Sequence, residues 1–445
     1  MGKTNPTPVA PVLSDRVRVN GVETLVTFTA EEGILRWTEN CLSIEKEVLG
    51  FTVEGTKIKV RAIKENDGGG IICCSGNTGV TVKIRSYNLE MLSEVSLRIW
   101  TQKLQEFIDS LGRPKRLFVF VNPYGGKRSA SKIFIDSVKP LLDDANIDYT
   151  VQETKYQLHA KEVAKSLDIL RYDGIVCVSG DGILVEVVNG LLEREDWDSA
   201  IKMPLGVVPA GTGNGMAKSL LDAVGLSCTV ANATLAIIRG HKQSLDVATI
   251  SQEQNRFFSV LMLAWGLIAD IDIESEKYRW MGSARIDYYA MQRIFCLRRY
   301  NGCIKFVAAP GYETFGEPAD LEGETITEVK LSFVQHKGYC GPAFHMKEFN
   351  RKIEGPFVSV WLHNVPWGGE DALAAPDAKV KSFVLEPGTQ LDDPSKEGII
   401  DVDGEVLARG KGTYKSNYKT LMTYEKLHIK IDQGLATMFS PSTIS

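Results

Sequence analysis

Hydrophobic and polar positions divide the chain into three stretches with different rhythms. Between residues 17 and 86 the apolar positions come in short β-rich pieces, at 24–30 and again at 56–62, where Ile58, Val60 and Ala62 alternate onto one face. Glycine turns at 68–70 and 76–79 separate such pieces. The period then lengthens. Leu97, Trp100, Leu104, Phe107, Ile108 and Leu111 recur at helical spacing over 93–111, a stripe suited to covering an open sheet. This predicts a small N-terminal β module closed by a helix, residues 1–112.

Arg113, Pro114 and Lys115 break the periodicity and predict a linker. From residue 117 short β-branched runs (117–121, 148–151, 175–178, 205–208) alternate with amphipathic stretches (129–142, 157–167, 183–192, 214–221). Strand–helix alternation of this kind implies an α/β layer around a mostly parallel sheet, residues 113–243. Beyond 244 the pattern changes to apolar strands at 257–264, 357–363 and 382–385, with one helical insert at 274–299. That predicts a β-rich, antiparallel sandwich-like domain, residues 244–445. A β module closed by a tryptophan-bearing helix is similar to a pleckstrin-homology-type domain; a plain packing or interaction module fits the same pattern.

Composition narrows the function classes. A chain of 445 residues, 44% hydrophobic and 24% charged, can bury several cores. Its net charge of -5 and pI near 5.8 argue against a nucleic-acid partner, which calls for a basic face. Eight scattered cysteines, with neither Cys-x-x-Cys spacing nor a disulfide-dense pattern, fit a reducing compartment. Residues 1–13 lack the apolar core of a signal peptide, and no uncharged apolar run approaches the roughly 20 residues that cross a bilayer. A cytoplasmic protein that visits a membrane surface only peripherally is expected.

Chemistry concentrates in three glycine-rich loops, each where an apolar strand ends and a helix begins: 122–127, 179–182 and 209–214. There, free backbone N–H groups and a helix N-terminus face outward together, which suits phosphate. None of the loops fits a P-loop or a dinucleotide fingerprint. Asp181 puts a carboxylate into a loop that otherwise favours anions. Such a group can take the proton of an attacking hydroxyl during phosphoryl transfer, or it can cap a helix.

Ser179, Gly180, Asp181 and Gly182, followed by Glu186 and by Val187 to Gly190, resemble the diacylglycerol-kinase-type catalytic domain. Residues 263–279 (LAWGLIADIDIESEKYR) narrow the resemblance to sphingosine kinases, most like the plant type, over residues 117–435. The resemblance implies an ATP-dependent lipid kinase acting on the primary hydroxyl of a sphingoid base, with Mg2+ arriving with ATP and no metal site of the protein's own. It implies a catalytic base, Asp181, among the substrate-binding residues Ser179, Gly180, Gly182 and Asp272. It implies a nucleotide site of Asn122, Pro123, Tyr124, Gly126, Lys127, Thr154, Lys155, Tyr156, Gln157, Leu158, Glu186, Gly211, Thr212, Gly213, Arg279, Arg285, Asp403, Gly404 and Glu405. An endomembrane or vacuolar surface is the implied membrane partner.

The residues themselves support parts of this. Asp272, beside Trp265, Leu267, Ile268 and Ile271, could pair with an ammonium at the mouth of an apolar channel; it could also be a solvated acid at a helix start, or half of a metal pair with Asp270. Arg279 and Arg285 suit bidentate phosphate contacts, or are surface charges. One departure stands out. Relatives carry a further stretch where Ala378-Lys379 here runs directly into Val380-Lys381, and its loss is expected to uncover apolar edges and displace the turn at 403–405.

Overall fold

Alternating side chains put seven strands into one antiparallel sheet: β1 (Val12–Val19), β2 (Val22–Thr29), β3 (Ile34–Trp37), β4 (Asn40–Ser43), β5 (Val48–Glu54), β6 (Lys57–Ile63) and β7 (Ile84–Met91), in the order β4-β3-β2-β1-β7-β6-β5. Here and throughout, the computed structural model describes residues 12–63, 84–125, 128–282, 284–319, 338–343, 348–413 and 420–442, with the side chain of Arg279 excluded. The glycine turns expected at 68–70 and 76–79, and Gly126 and Lys127, lie outside these residues. Helix α1 (Glu94–Ser110) starts at Ser93, whose side chain accepts from the amide of Ser96. It buries Trp100 and Leu104 against the sheet and packs the remaining members of the apolar stripe around them.

The residues after α1 are held rather than loose. The guanidinium of Arg113 donates to the carbonyls of Ile44, Glu45, Val48 and Leu49 at 2.7–3.1 Å. Burial pushes that guanidinium down to about 10. Arg61 pairs with Asp144 at 3.1 Å, and Asn146 donates to the carbonyl of Phe51 at 2.8 Å, so polar contacts dock the N-terminal sheet on the next layer.

That layer is α/β. Its elements are β8 (Arg116–Val121), α2 (Ala130–Ile133) and α3 (Lys139–Asp144) joined by a π turn, β9 (Asp148–Glu153), α4 (His159–Ser166), β10 (Gly174–Ser179), α5 (Asp181–Leu192), the short α6 (Trp197–Ala200), β11 (Leu205–Pro209), α7 (Gly215–Asp222) and α8 (Val230–Arg239). Strands β11, β10, β8 and β9 run parallel in that order. Helix α5 buries nine of its twelve residues, more than a one-faced helix allows. A Cβ on Gly190 would stand 2.4 Å from the carbonyl oxygen of Lys161, so glycine there sets the close approach of α5 to α4.

The remaining residues form β12 (Lys242–Gln252), β13 (Asn255–Ser259), β14 (Met262–Gly266), α9 (Leu267–Glu274), a 3-10 segment (Ser275–Met281), α10 (Ala284–Phe295), β15 (Tyr300–Ala308), β16 (Glu317–Pro318), β17 (Arg351–Glu354), β18 (Ser359–His363), β19 (Trp367–Gly369), β20 (Ala372–Leu373), β21 (Val380–Gln390), β22 (Ile399–Val402), β23 (Glu405–Arg409) and β24 (Leu427–Phe439). The apolar run at 257–264, expected as one strand, is two, β13 and β14, in different sheets. The insert expected as one helix over 274–299 begins earlier, with α9, and is interrupted by the 3-10 segment. Strand β24 pairs parallel with β11 and antiparallel with β12 and β21, so a single 11-stranded sheet runs across residue 243. A separate four-stranded sheet, β18-β14-β22-β23, carries α9.

Candidate active site

The parallel sheet changes direction between β8 and β10, because the chain goes from β8 out to β9 and returns to the far side of β8. Ligands of open α/β sheets bind at the carboxyl ends of strands flanking such a point. The first two glycine loops follow β8 and β10, and the third follows β11 next door.

After β8, the Asn122 side-chain oxygen accepts from the amide of Tyr124 at 3.0 Å and from the hydroxyl of buried Thr154 at 3.3 Å, which welds the loops after β8 and β9 into one ledge. After β10, Gly180 and Gly211 lie back to back: a Cβ on Gly211 would come within 2.2 Å of the Gly180 Cα. Only glycine permits that contact. Asn214 adopts a left-handed backbone, φ 55°, and exchanges hydrogen bonds with Gly211 in both directions. Its side-chain nitrogen also donates to Glu370 at 2.6 Å, and the Glu370 amide donates to the carbonyl of Gly213 at 2.8 Å. Glu370 stands between β19 and β20, so this hairpin clamps the third glycine loop from a part of the chain far away in sequence.

Helix α5 sends out two carboxylates, and each meets the N-terminus of another helix. Asp181 accepts from the amides of Gly215 and Met216, at 2.7 and 3.0 Å, at the start of α7. Glu186 accepts from the amides of Leu158 and Ala160, both at 3.0 Å, at the start of α4. Burial raises both carboxyls above the usual range, against the pull of those amides, and the nearby Glu370 charge raises Asp181 further. Asn189, in the same helix, donates to Phe258 at 2.7 Å and accepts from its amide at 3.0 Å, tying α5 to β13.

The turn at 403–405 is seated, not displaced. Asp403 accepts from the Ser259 hydroxyl and the amides of Val260, Leu261 and Met262 at 2.7–3.0 Å, filling the corner between β13 and β14. Those bonds hold the turn in the absence of the stretch expected before Val380. The Asp403 carboxylate thus faces the corner, and burial pushes it up to about 6. Gly404 and Glu405 face the other way, into a cleft of about 380 Å3, where Gln157 donates to Glu405 at 2.8 Å. Burial, and then the charge of Glu186, push Glu405 up to about 7.

Asn122, Tyr124, Thr154, Lys155, Tyr156, Gln157, Glu186, Gly404 and Glu405 line this cleft together. Sequence reasoning missed Ile183, Ile273, Glu276 and Val406, which share it. Of these, Ile183 stands three residues before the expected Glu186 on α5, a helical spacing that carried a signal. Pro123 sits in the turn beside the cleft, Leu158 opens α4 with φ 69°, and Ser179 and Gly182 flank the start of α5. Asp181, Gly211, Thr212 and Gly213 form the adjoining shelf: a Cβ on Gly213 would touch the Asp181 carboxylate at 3.4 Å. Asp272 lies in α9, half-buried, next to cleft-lining Ile273, with its carboxyl raised first of all by burial. Arg285 stands 3.9 Å from Glu276 and acts electrostatically on Asp272. The backbone of Arg279 belongs to the 3-10 segment.

The diacylglycerol kinase catalytic domain family matches residues 116–250, which hold all three glycine loops and Asp181. Sphingosine kinase 1 of Arabidopsis thaliana is 54% identical over 479 aligned positions, covering 98% of this chain and 97% of that protein. Sphingosine kinase 2 of the same plant is also 54% identical, with 97% of each covered. Sphingosine kinase 2 of Homo sapiens is 38% identical over 316 positions, 65% of this chain and 48% of that protein. An alignment of 479 positions against a chain of 445 leaves at least 34 positions of the first relative without a counterpart here. With similarity spread over nearly its whole length and the glycine loops inside the matched catalytic domain, the chain belongs to the sphingosine kinase family.

Proposed function

We propose that the chain transfers the γ-phosphate of ATP to the primary hydroxyl of a sphingoid base, giving the 1-phosphate and ADP. The observation that carries this reading is Asp181, a half-buried carboxylate at the meeting of two glycine loops with its basicity raised by burial. As the hydroxyl oxygen forms its bond to the γ-phosphorus and the bond to the β-phosphate oxygen breaks, the hydroxyl proton passes to Asp181. The amides of the loops after β8 and β11 and the start of α5 offer the phosphates backbone donors. The cleft from Asn122 to Glu405 suits the nucleotide.

Magnesium would arrive with the nucleotide and would neutralise charge on its phosphates. Asp272 beside an apolar wall favours an ammonium-bearing lipid over diacylglycerol, which has none. No helix among the described residues is long and apolar enough to cross a membrane. Exposed Trp280, Met291, Ile294 and Phe295 on and before α10, next to α9, support a peripheral contact with a lipid surface.

The division at residues 112 and 243 separates a docking module, a nucleotide half and a lipid half. Labelled phosphate appearing in sphingosine, and not in diacylglycerol or ceramide, is the expected result. Transfer to diacylglycerol alone would overturn the substrate assignment, and nucleotide binding without transfer to any lipid would make the chain a non-catalytic relative.

A further inference from the structure

We infer that Asp401 is a positioning residue for the lipid amine: with Asp272 it forms a carboxyl pair that holds one shared proton while no lipid is bound and releases it when an alkylammonium binds. The inference rests on the sphingoid-base reading above and asks how that site recognises its substrate.

Asp401 lies in β22, with Ala264 of β14 and Val406 of β23 as its cross-strand neighbours. It is wholly buried, and among the described residues no N–H or O–H donates to either of its oxygens. Its cross-strand neighbours Ala264 and Val406 pack with Ala269 and Ile273 of α9, so Asp401 lies on the strand face that this helix covers, and the Asp272 carboxyl of α9 acts on it directly. Two carboxyls can join in a hydrogen bond only when one of them carries a proton. Side by side in a dry site they do not both ionise, so the pair titrates as a unit.

The other charges facing the pair come from four places. Among the described groups acting on the pair, Arg285 on α10 is a cation, against the acids Glu276 of the 3-10 segment, Asp403 in the turn and Glu405 on β23. Strand β14 contributes no titratable side chain. Asp270 and Glu274, also on α9, are engaged by Arg293 and Arg298. Acids outnumber the cation among these groups, which disfavours ionising both members of the pair.

Asp272 is half-buried and reachable from solvent, whereas Asp401 is wholly buried. An incoming R–NH3+ on Asp272 provides the positive charge that the shared proton had provided. The proton then leaves to solvent, and the pair passes from one negative charge to two. A lipid with a neutral headgroup cannot drive that exchange, so the pair discriminates between lipids by charge.

The test uses the full chain, sphingosine in detergent micelles and saturating MgATP, with wild type and Asp401→Asn compared between about pH 6 and about pH 8.5, above the ordinary carboxyl range. Asparagine has the same shape and cannot titrate, and the ratio of the two proteins' KM values cancels the titration of the amine itself. In the range where the pair holds its proton, the wild-type KM for sphingosine should fall about tenfold per pH unit relative to the variant. The KM for ATP should be the same in both proteins.

A ratio that stays flat with pH overturns the inference, as does a variant that raises the KM for ATP by the same factor, which would give the carboxyl to MgATP. A measurement on wild type alone makes folding of the variant immaterial: calorimetry of sphingosine binding in two buffers of different ionisation heat should show about one proton released. No proton released overturns the proposal. The sphingoid-base reading fails separately, by wild type forming no sphingosine phosphate at any pH.

Discussion

Replacing Asp181 by Asn separates two roles that one carboxylate can fill. Its oxygens accept from Gly215 and Met216 at 2.7 and 3.0 Å, so it caps α7 from another helix. Asparagine keeps one acceptor and turns the other into a donor facing an N–H. Losing a cap costs about 0.5–2 kcal/mol, and losing the charge at the helix start about 0.3–1 kcal/mol more. Relief of the buried charge works against both, which leaves a net loss of about 1–2 kcal/mol. In a unit of this size that lowers the melting temperature by a few degrees, about 2–4 °C per kcal/mol. A missing general base lowers kcat by about 10²–10⁴, equivalent to about 3–5 kcal/mol of barrier. The catalytic effect therefore exceeds the structural one. The assay is transfer of labelled phosphate to sphingosine with both substrates saturating, on preparations whose melting curves and ATP-induced melting shifts are also recorded. A variant that melts a few degrees low and retains kcat within about tenfold would refute the reasoning, because Asp181 would then be a cap alone.

Glu370→Ala removes the partner of Asn214, one hydrogen bond to a charged group, and should raise the KM for ATP about tenfold while leaving the KM for lipid unchanged; equal changes in both would contradict the clamp. Asn189→Ala leaves the amide and carbonyl of Phe258 buried without their partner and should cost about 2–5 kcal/mol in urea unfolding, with a loss under about 1 kcal/mol counting against that tie. Glu405 has its folded pKa, about 7, above its ordinary value of 4.5, so its contribution to stability is fully present below about pH 4.5 and is lost as pH rises through 7. Glu405→Gln should remove that decline, and melting curves at both ends of the window should converge at the acid end and separate at the alkaline end in favour of the variant.

Strands β8, β10 and β11 were legible because each buries a local apolar run that ends in a glycine loop, and β10, all six residues buried, is the clearest case; β9, with no residue fully buried, was legible only from its place in the strand–helix alternation. The corner at 259–262 was not legible. It exists because four donors of Ser259 to Met262 meet Asp403, some 140 residues later, and an apolar run does not announce a partner so distant. The clamp by Glu370 was hidden for the same reason. Asp272 drew notice through its apolar neighbours in sequence, whereas Asp401, in a strand of otherwise apolar residues, becomes conspicuous only once β22 lies beneath α9. The break of the insert at the 3-10 segment followed from no loss of apolar periodicity. Asp403 itself was noticed as part of a motif, yet its orientation depends on a turn that local sequence does not determine.

Strand β24 is the neighbour of β11 and also of β12 and β21. On a ribosome, β11 emerges more than 200 residues before the strand that covers its edge. At about 5–20 residues per second this is an interval of roughly ten to forty seconds. Throughout that time the parallel part of the sheet has an open edge, the kind of surface that pairs with other chains. A stop codon just before residue 427 would make this exposure permanent, which places the half-life of truncated products in the hands of chaperones and proteases and makes the last strand a checkpoint on whether any of the kinase accumulates.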